Sequence, residues 1–120
     1  MKISSKKTMV ISVIAILCFN SCEKPDLPAD TPSCIKRKIR QIKSDEVRNP
    51  PAKVYQYDYN GETIYYFHPY CCDIPNELYD KDCYQICCPD GGLTGTGDNK
   101  CSDIFSKRKN EKLIWQDDRN

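Results

Sequence analysis

The clearest periodic signal in the chain is Ile35, Ile39 and Ile42, which recur at i, i+4 and i+7 among Lys36, Arg37, Lys38, Arg40 and Lys43. That spacing places one apolar stripe along an α-helix and cations around the rest of it. Thr31-Pro32 offers an N-cap and a first-turn proline. Asn49-Pro50-Pro51 forces extended backbone, so the helix is expected to close near Ser44 to Val47. The period then drops to two. Lys53 to His68 (KVYQYDYNGETIYYFH) holds two β-rich runs around Asn60-Gly61, the dipeptide that supplies both positive φ angles of a type I′ turn. A two-residue loop sets Tyr59 against Glu62, Tyr57 against Ile64 and Tyr55 against Tyr66. One face of the hairpin is then Tyr55, Tyr57, Tyr59, Ile64 and Tyr66, and the other is Val54, Gln56, Asp58, Thr63, Tyr65 and Phe67. The tyrosine-rich face is expected to lie on the helix. Glu77 to Cys88 reads as a shorter hairpin bent around Asp80 to Cys83. Ser102 to Lys109 reads as a short helix capped by Ser102 or Asp103, and Leu113-Ile114-Trp115 as a closing strand. The fold class is α+β: a small disulfide-stabilised, hairpin-based antiparallel sheet packed with an N-terminal helix and a short C-terminal helix.

A different apolar run opens the chain. Met9 to Phe19 (MVISVIAILCF) is interrupted only by Ser12 and follows Lys2, Lys6 and Lys7. It is shorter than the roughly 20 residues a membrane-spanning helix needs, and it has the form of a signal-peptide core. The run ends in Phe19-Asn20-Ser21-Cys22, a small residue before a cysteine, which is similar to the bacterial lipobox apart from Phe19 and Asn20. Cys18 is a poorer cleavage point because bulky Leu17 precedes it. The expected organisation is a lipoprotein signal over 1–21, a lipidated Cys22 with a proline-rich tether over 22–33, one cysteine-rich domain over 34–116, and a polar tail over 117–120. Extended proline-rich chain covers about 3.1 Å per residue. Acyl chains such as palmitate on Cys22 would hold the protein on a membrane of the cell envelope without a spanning segment, on its periplasmic or its outer face.

Composition narrows the function. With 120 residues there is room for one small domain, and 18 basic against 17 acidic residues exclude a strongly basic nucleic-acid binder. A single histidine excludes His-rich metal sites and chemistry that needs two imidazoles. The charge is nevertheless segregated. Cys34 to Arg48 carries six cations and two anions, and Asp58 to Asp103 carries two cations and nine anions. The basic helix could meet anionic headgroups, although a solvated helix face is the plainer reading.

Of nine cysteines, seven follow Cys22: Cys34, Cys71, Cys72, Cys83, Cys87, Cys88 and Cys101. An odd number allows at most three bridges and leaves one thiol. Export favours oxidation, and bridges stabilise a domain whose core is small. Adjacent strand residues face opposite ways, so Cys71 and Cys72 should take different partners, as should Cys87 and Cys88. The favoured pairing is Cys72 with Cys83, Cys87 with Cys101 and Cys34 with Cys71, leaving Cys88, with other connectivities open. Zinc is disfavoured because only Cys83 and Cys87 approach ligand spacing.

Candidate chemistry is sparse. Pro89 to Lys100 (PDGGLTGTGDNK) gathers four of the five glycines with Asp90, Asp98 and Asn99, which are weak calcium-ligand candidates without EF-hand spacing. A turn-rich connection is the plainer reading. All eight tyrosines lie between Tyr55 and Tyr84, and Tyr55, Tyr57, Tyr59, Tyr65 and Tyr66 form a candidate face for a protein or a glycan, with ordinary strand packing as the alternative. His68 stands beside Pro69 as a surface or capping residue, and no nucleophile motif is present.

Taken in order, Cys34-Ile35, Asn49-Pro50-Pro51, Val54 and Tyr57 before Asn60-Gly61, Tyr65-Tyr66, Cys71-Cys72-Asp73, Leu78-Tyr79-Asp80, Cys83, and Pro89 to Gly95 resemble an uncharacterised family of Bacteroidota lipoproteins, a domain of unknown function. The resemblance runs from about Cys34 to Trp115. It implies a lipid-anchored envelope protein and no activity, and it marks Cys88 as a position where relatives lack cysteine. The function expected is a non-enzymatic binding or structural module of the envelope, without a cofactor. It would reach the membrane through Cys22 and meet an envelope protein or glycan rather than nucleic acid. The alternatives are an inhibitor or accessory subunit of a secreted enzyme, and a calcium-dependent glycan- or protein-binding domain.

Overall fold

A computed structural model describes residues 27–70 and 73–119. The expected signal segment, Cys22, Cys71 and Cys72 lie outside the described residues. The elements run in the order α1 (Ser33–Ser44), β1 (Lys53–Tyr59), β2 (Glu62–His68), β3 (Glu77–Asp80), β4 (Gln85–Cys87), α2 (Ile104–Lys107) and β5 (Lys109–Gln116). The five strands form one antiparallel sheet in the order β4-β3-β2-β1-β5, so the chain's last strand closes the sheet beside its first. The architecture is the expected α+β class.

The β1–β2 hairpin has the predicted register, with Tyr59 opposite Glu62, Tyr57 opposite Ile64 and Tyr55 opposite Tyr66. Asn60 and Gly61 both take positive φ, 50° and 78°, as a type I′ turn requires. Asn tolerates that conformation and Gly adopts it without steric cost.

The sheet's facing is the reverse of the expectation. Ile35, Ile39 and Ile42 of α1 pack on Ala52, Val54, Tyr65, Phe67, Tyr79, Ile114 and Trp115, so α1 covers the face that carries Val54, Tyr65 and Phe67. The tyrosine-rich face turns the other way, and Tyr57, Ile64, Tyr66 and Leu78 pack there on Cys87, Cys101 and Ile104. The isoleucine stripe needs apolar surface, which the aliphatic side chains and aromatic rings of this side supply, and each isoleucine buried this way contributes about 1.5–3 kcal/mol. The phenols instead find hydrogen-bond partners under the loop that follows β4. The sheet is thus covered on both faces, with two separate cores.

Strand β5 serves the helix-side core through an irregularity. Val54 pairs with Trp115 and Tyr55 with Leu113, which leaves Ile114 as an extra residue, the arrangement of a β-bulge. Ile114 and Trp115 therefore both reach the same core, although they are adjacent.

The last residue of α1, Ser44, falls where the helix is expected to close, but its N-terminus differs from the sequence reading. Thr31 is not the N-cap. Its amide donates to the Pro28 carbonyl at 3.0 Å, its hydroxyl is buried without a partner, and Pro32 takes the cap position. That turn, together with Leu27 packed on the helix-side core, shows that residues upstream of Cys34 take part in the fold. At the other end, Asp117 and Arg119 of the polar tail pack on the domain. Asp117 is 2% exposed and its amide donates to Ala52. The Arg119 guanidinium donates to the Ile42, Lys43 and Asp45 carbonyls. The Ile42 carbonyl also accepts the Asp45 amide; carbonyls at a helix C-terminus otherwise lack intrahelical partners, and a cation suits the negative end of the helix dipole. The C-terminal helix is shorter than expected, a single turn capped at Asp103.

Disulfides join Cys34 to Cys83 and Cys87 to Cys101, each with Cα atoms 6.1 Å apart. The second is the favoured pairing. The first overturns two pairings at once, Cys34 with Cys71 and Cys72 with Cys83. Its cause is the β3–β4 turn. Asp80 accepts the amides of Asp82 and Tyr84, and Cys83 takes φ 61°. Cys83 then packs with Cys34 against the helix-side core. Cys88 is unpaired and buried, as expected.

Candidate functional site

The functional candidate is the tyrosine-bearing face of the sheet and the segment from Cys88 to Arg108 that covers it. Along one row lie Tyr55, Tyr57, Tyr66 and His68. Tyr55 stacks on Tyr57 with centroids 6.1 Å apart, Tyr57 meets Tyr66 at 6.2 Å, and Tyr66 stacks on His68 at 5.4 Å. Phe105 of α2 meets Tyr66 edge-on at 5.6 Å. The Arg108 guanidinium lies over both Tyr57 and Phe105, 4.8 and 4.7 Å from the ring centroids. Edge-on and offset rings and a cation over a ring face are the arrangements the aromatic quadrupole favours.

Every phenol of this row that is buried has a polar partner. Tyr57 donates to Glu111 at 3.2 Å and accepts from Arg108 at 3.1 Å. Tyr66 donates to Asp90, with its oxygen 2.7 and 2.8 Å from the two carboxylate oxygens. Asn76 is the hinge of this group. Its side-chain amide donates to Asp90 at 3.0 Å and lies 3.2 Å from His68 Nδ1, while its carbonyl oxygen accepts the Tyr70 amide at 2.6 Å. Burial pushes the Tyr66 hydroxyl far above the ordinary phenol range, and the hydrogen bond to Asp90 pushes it further. Tyr57 is raised in the same way by burial, against the opposing pull of Arg108. These hydroxyls therefore stay protonated and act as donors to carboxylates. Tyr59, half-buried at the row's end, donates to Asp103 at 3.0 Å.

The glycine-rich loop is ordered by the same rules. Asp98 accepts the Cys88 and Lys100 amides, at 2.9 and 3.0 Å, and these bonds hold its carboxyl below the usual range, Lys100 first and Cys88 second. The Asp98 amide returns to the Cys88 carbonyl at 2.9 Å. Gly97 allows that close approach, because a Cβ there would stand 1.9 Å from the Cys88 carbonyl oxygen. The thiol of Cys88 accepts from Gln85 at 3.0 Å, and burial raises its pKa. Leu93, at the loop's far end, is 84% exposed.

The proposed calcium ligands are thus engaged elsewhere: Asp90 holds Tyr66 and Asn76, Asp98 holds backbone amides, and Asn99 serves a turn at φ 62°. Among the described residues, no group of three or more His, Cys, Asp or Glu side chains is placed to hold a metal ion. Of the five tyrosines offered as a candidate binding face, Tyr65 lies on the opposite side of the sheet under α1, where strand alternation puts it. Tyr57 and Tyr66 are buried at 1% and 4% exposure, so Tyr55 and Tyr59 carry what the face shows to solvent. Asn76, Phe105, Arg108 and Glu111 complete the site without having been signalled. No local pattern distinguishes them, because their partners in the row of Tyr55, Tyr57, Tyr66 and His68 are between 8 and 54 positions away. A shallow groove of about 570 Å³ opens beside Tyr59 between the hairpin turn and α2, lined by Asp58, Lys107 and Asn110 among others. Among the described residues, no helix is long and apolar enough to cross a membrane.

These features define a small disulfide-braced α+β domain whose sheet is covered by a helix on one side and a tied-down loop on the other. The chain belongs to the family described as a domain of unknown function, DUF6970, which matches residues 40–117. The match runs from the middle of α1 to the residue after β5, so it takes in the whole sheet and the loop over it. No curated protein and no solved structure matches the chain.

Proposed function

We propose that this chain is a lipid-anchored, non-catalytic binding or structural module of the bacterial cell envelope, of the kind found among Bacteroidota lipoproteins. Export is supported by the disulfides. Cys34–Cys83 and Cys87–Cys101 are both closed, and such bonds persist in oxidising compartments. They agree with an N-terminus built as a signal that ends at Cys22. The non-catalytic reading rests on the saturation of the site. Tyr57, Tyr66, Asn76 and Asp90 spend their polar atoms on one another and on neighbouring side chains, an arrangement that braces a loop instead of presenting a nucleophile or base. The test is metabolic labelling with a clickable fatty acid, followed by fractionation of wild type and Cys22→Ala. The expected result is a labelled wild type in the membrane fraction and an unlabelled variant released from it. An unlabelled wild type in the cytosol overturns the reading.

One observation favours a second reading, an inhibitor or accessory subunit of a secreted enzyme. Leu93 stands 84% exposed on a loop closed by Cys87–Cys101, and a rigid loop with a projecting apolar side chain loses little entropy on docking. Under this reading Leu93→Asp abolishes inhibition of a target protease or glycosidase and leaves the fold intact.

A further inference from the structure

We propose that the outer face of α1 is a docking surface for an anionic phospholipid bilayer, which lays the domain on the membrane that Cys22 anchors; this rests on the lipoprotein reading above. Helix α1 carries five cations and no anion over its 12 residues. Its salt bridges would have to come from outside, yet the ion pairs among the described residues are Lys107–Asp103 and Arg119–Asp117. None of the five α1 cations is neutralised by such a pair. At about 100° per residue, Lys43, Lys36, Arg40 and Arg37 fall within an arc of roughly 120°, next to the buried isoleucine stripe. Lys36, Arg40 and Lys43 repeat at i, i+4 and i+7, a row about 10 Å long at 1.5 Å per residue. The rest of the chain does not share this charge. Beyond the signal there are 15 basic and 17 acidic residues, so a net-negative protein places a third of its cations on one short helix that carries no anion.

The structure also brings that helix close to the anchor. The tether was expected to run free as far as Ser33, but Leu27 is packed on the helix-side core and Pro28 to Thr31 form a turn leading into α1. Five peptide units separate Cys22 from Leu27, and they reach at most about 18 Å. A polybasic surface so near an anchor adds the second signal that stable membrane attachment uses. Its attraction to anionic lipid acts over about one Debye length, roughly 8–10 Å.

The test uses the chain from residue 22 onward with Cys22→Ala, which keeps every described residue and removes the acyl group. Sedimentation is measured with vesicles of phosphatidylglycerol and phosphatidylcholine mixed at about 3:7, and with phosphatidylcholine alone. Binding to the mixed vesicles alone is expected, with release in 0.5 M NaCl. At about one cation's attraction per residue removed, Lys36→Gln, Arg40→Gln and Lys43→Gln together should weaken partitioning by tenfold or more. Trp115 fluorescence checks that the triple variant is folded, and the salt dependence of the unmodified helix tests the same surface if it is not. Absence of binding to mixed vesicles at low salt, equal binding to both vesicle types, or an undiminished triple variant overturns the proposal. Because the chain used is unacylated, its vesicle binding supports the surface even if fatty-acid labelling of Cys22 fails, and its absence sinks the surface even if labelling succeeds.

Discussion

Tyr66 and Asp90, 24 positions apart, are joined by the phenol's hydrogen bond to the carboxylate, with the oxygens 2.7 and 2.8 Å away. The contact ties the second strand to the start of the glycine-rich loop, and Asn76 and His68 pack around it. Tyr66→Phe keeps the ring against His68 and Phe105 but removes the hydroxyl that donates to Asp90. Bonds to charged groups contribute about 1.5–3 kcal/mol, so the variant should lose about 2 kcal/mol in urea unfolding with the disulfides intact. A loss below about 0.5 kcal/mol would show that the tie carries no stability.

The Cys34–Cys83 bridge closes a loop across 49 positions and pins α1 to the β3–β4 turn. Replacing both residues with alanine should cost about 2–4 kcal/mol. Peptide mapping under non-reducing conditions should recover this pair and Cys87–Cys101 as separate linked peptides. A Cys34–Cys71 peptide from folded protein would contradict the structure.

Gly95 and Gly97 both hold positive φ, 75° and 64°, but only Gly97 is also crowded. Gly95→Ala has open space around it and pays the left-handed conformation alone, about 1–2 kcal/mol. Gly97→Ala adds a Cβ 1.9 Å from the Cys88 carbonyl oxygen, and that carbonyl is held by the Asp98 amide. Its loss in melting experiments should be at least twice that of Gly95→Ala, and the reverse order would refute this account of the loop.

Asp117 is held below the usual carboxylate range by its hydrogen bond to Arg119, whose other donors cap α1. A depressed folded pKa means that the stabilisation is complete above the unfolded value, about 3.9, and is lost as pH falls from there through the lower folded value. Asp117→Asn should therefore cost about 1 kcal/mol at pH 7, at the low end for a charged bond because the Arg119 side chain is 30% exposed. The gap to wild type should narrow as pH drops below about 4. A gap that stays constant from pH 7 to pH 2.5 would remove the ion pair as its source.

Local signals in this sequence were strong wherever the cause was local. Asn60-Gly61 settles the hairpin register because only residues that tolerate positive φ make a two-residue turn, and each strand's alternation follows from it. Ile35, Ile39 and Ile42 mark the buried face of α1, and the proline pair after Asn49 ends that helix region. The Cys87–Cys101 bridge and an unpaired Cys88 match the favoured pairing, although the sequence left other connectivities open. What periodicity leaves open is which of a strand's two faces meets which element. Tyr55, Tyr57 and Tyr66 suit a helix interface and a hydrogen-bonded loop about equally well, because a tyrosine is apolar along its ring and polar at its tip. The choice was made by groups remote in sequence: Asp90, Arg108 and Glu111 offer the phenols partners, while Val54, Phe67 and Trp115 offer the isoleucines an apolar surface. Distance along the chain also hid Arg119 as the cap of α1, 76 positions from Lys43, and Cys83 as the partner of Cys34. The hairpin, the helix and their periods belong to the sequence alone, since each is set by neighbours within a turn or two. The facing of the sheet, the disulfide across α1 and the network around Tyr66 exist only once the chain has closed on itself and buried polar groups must find partners.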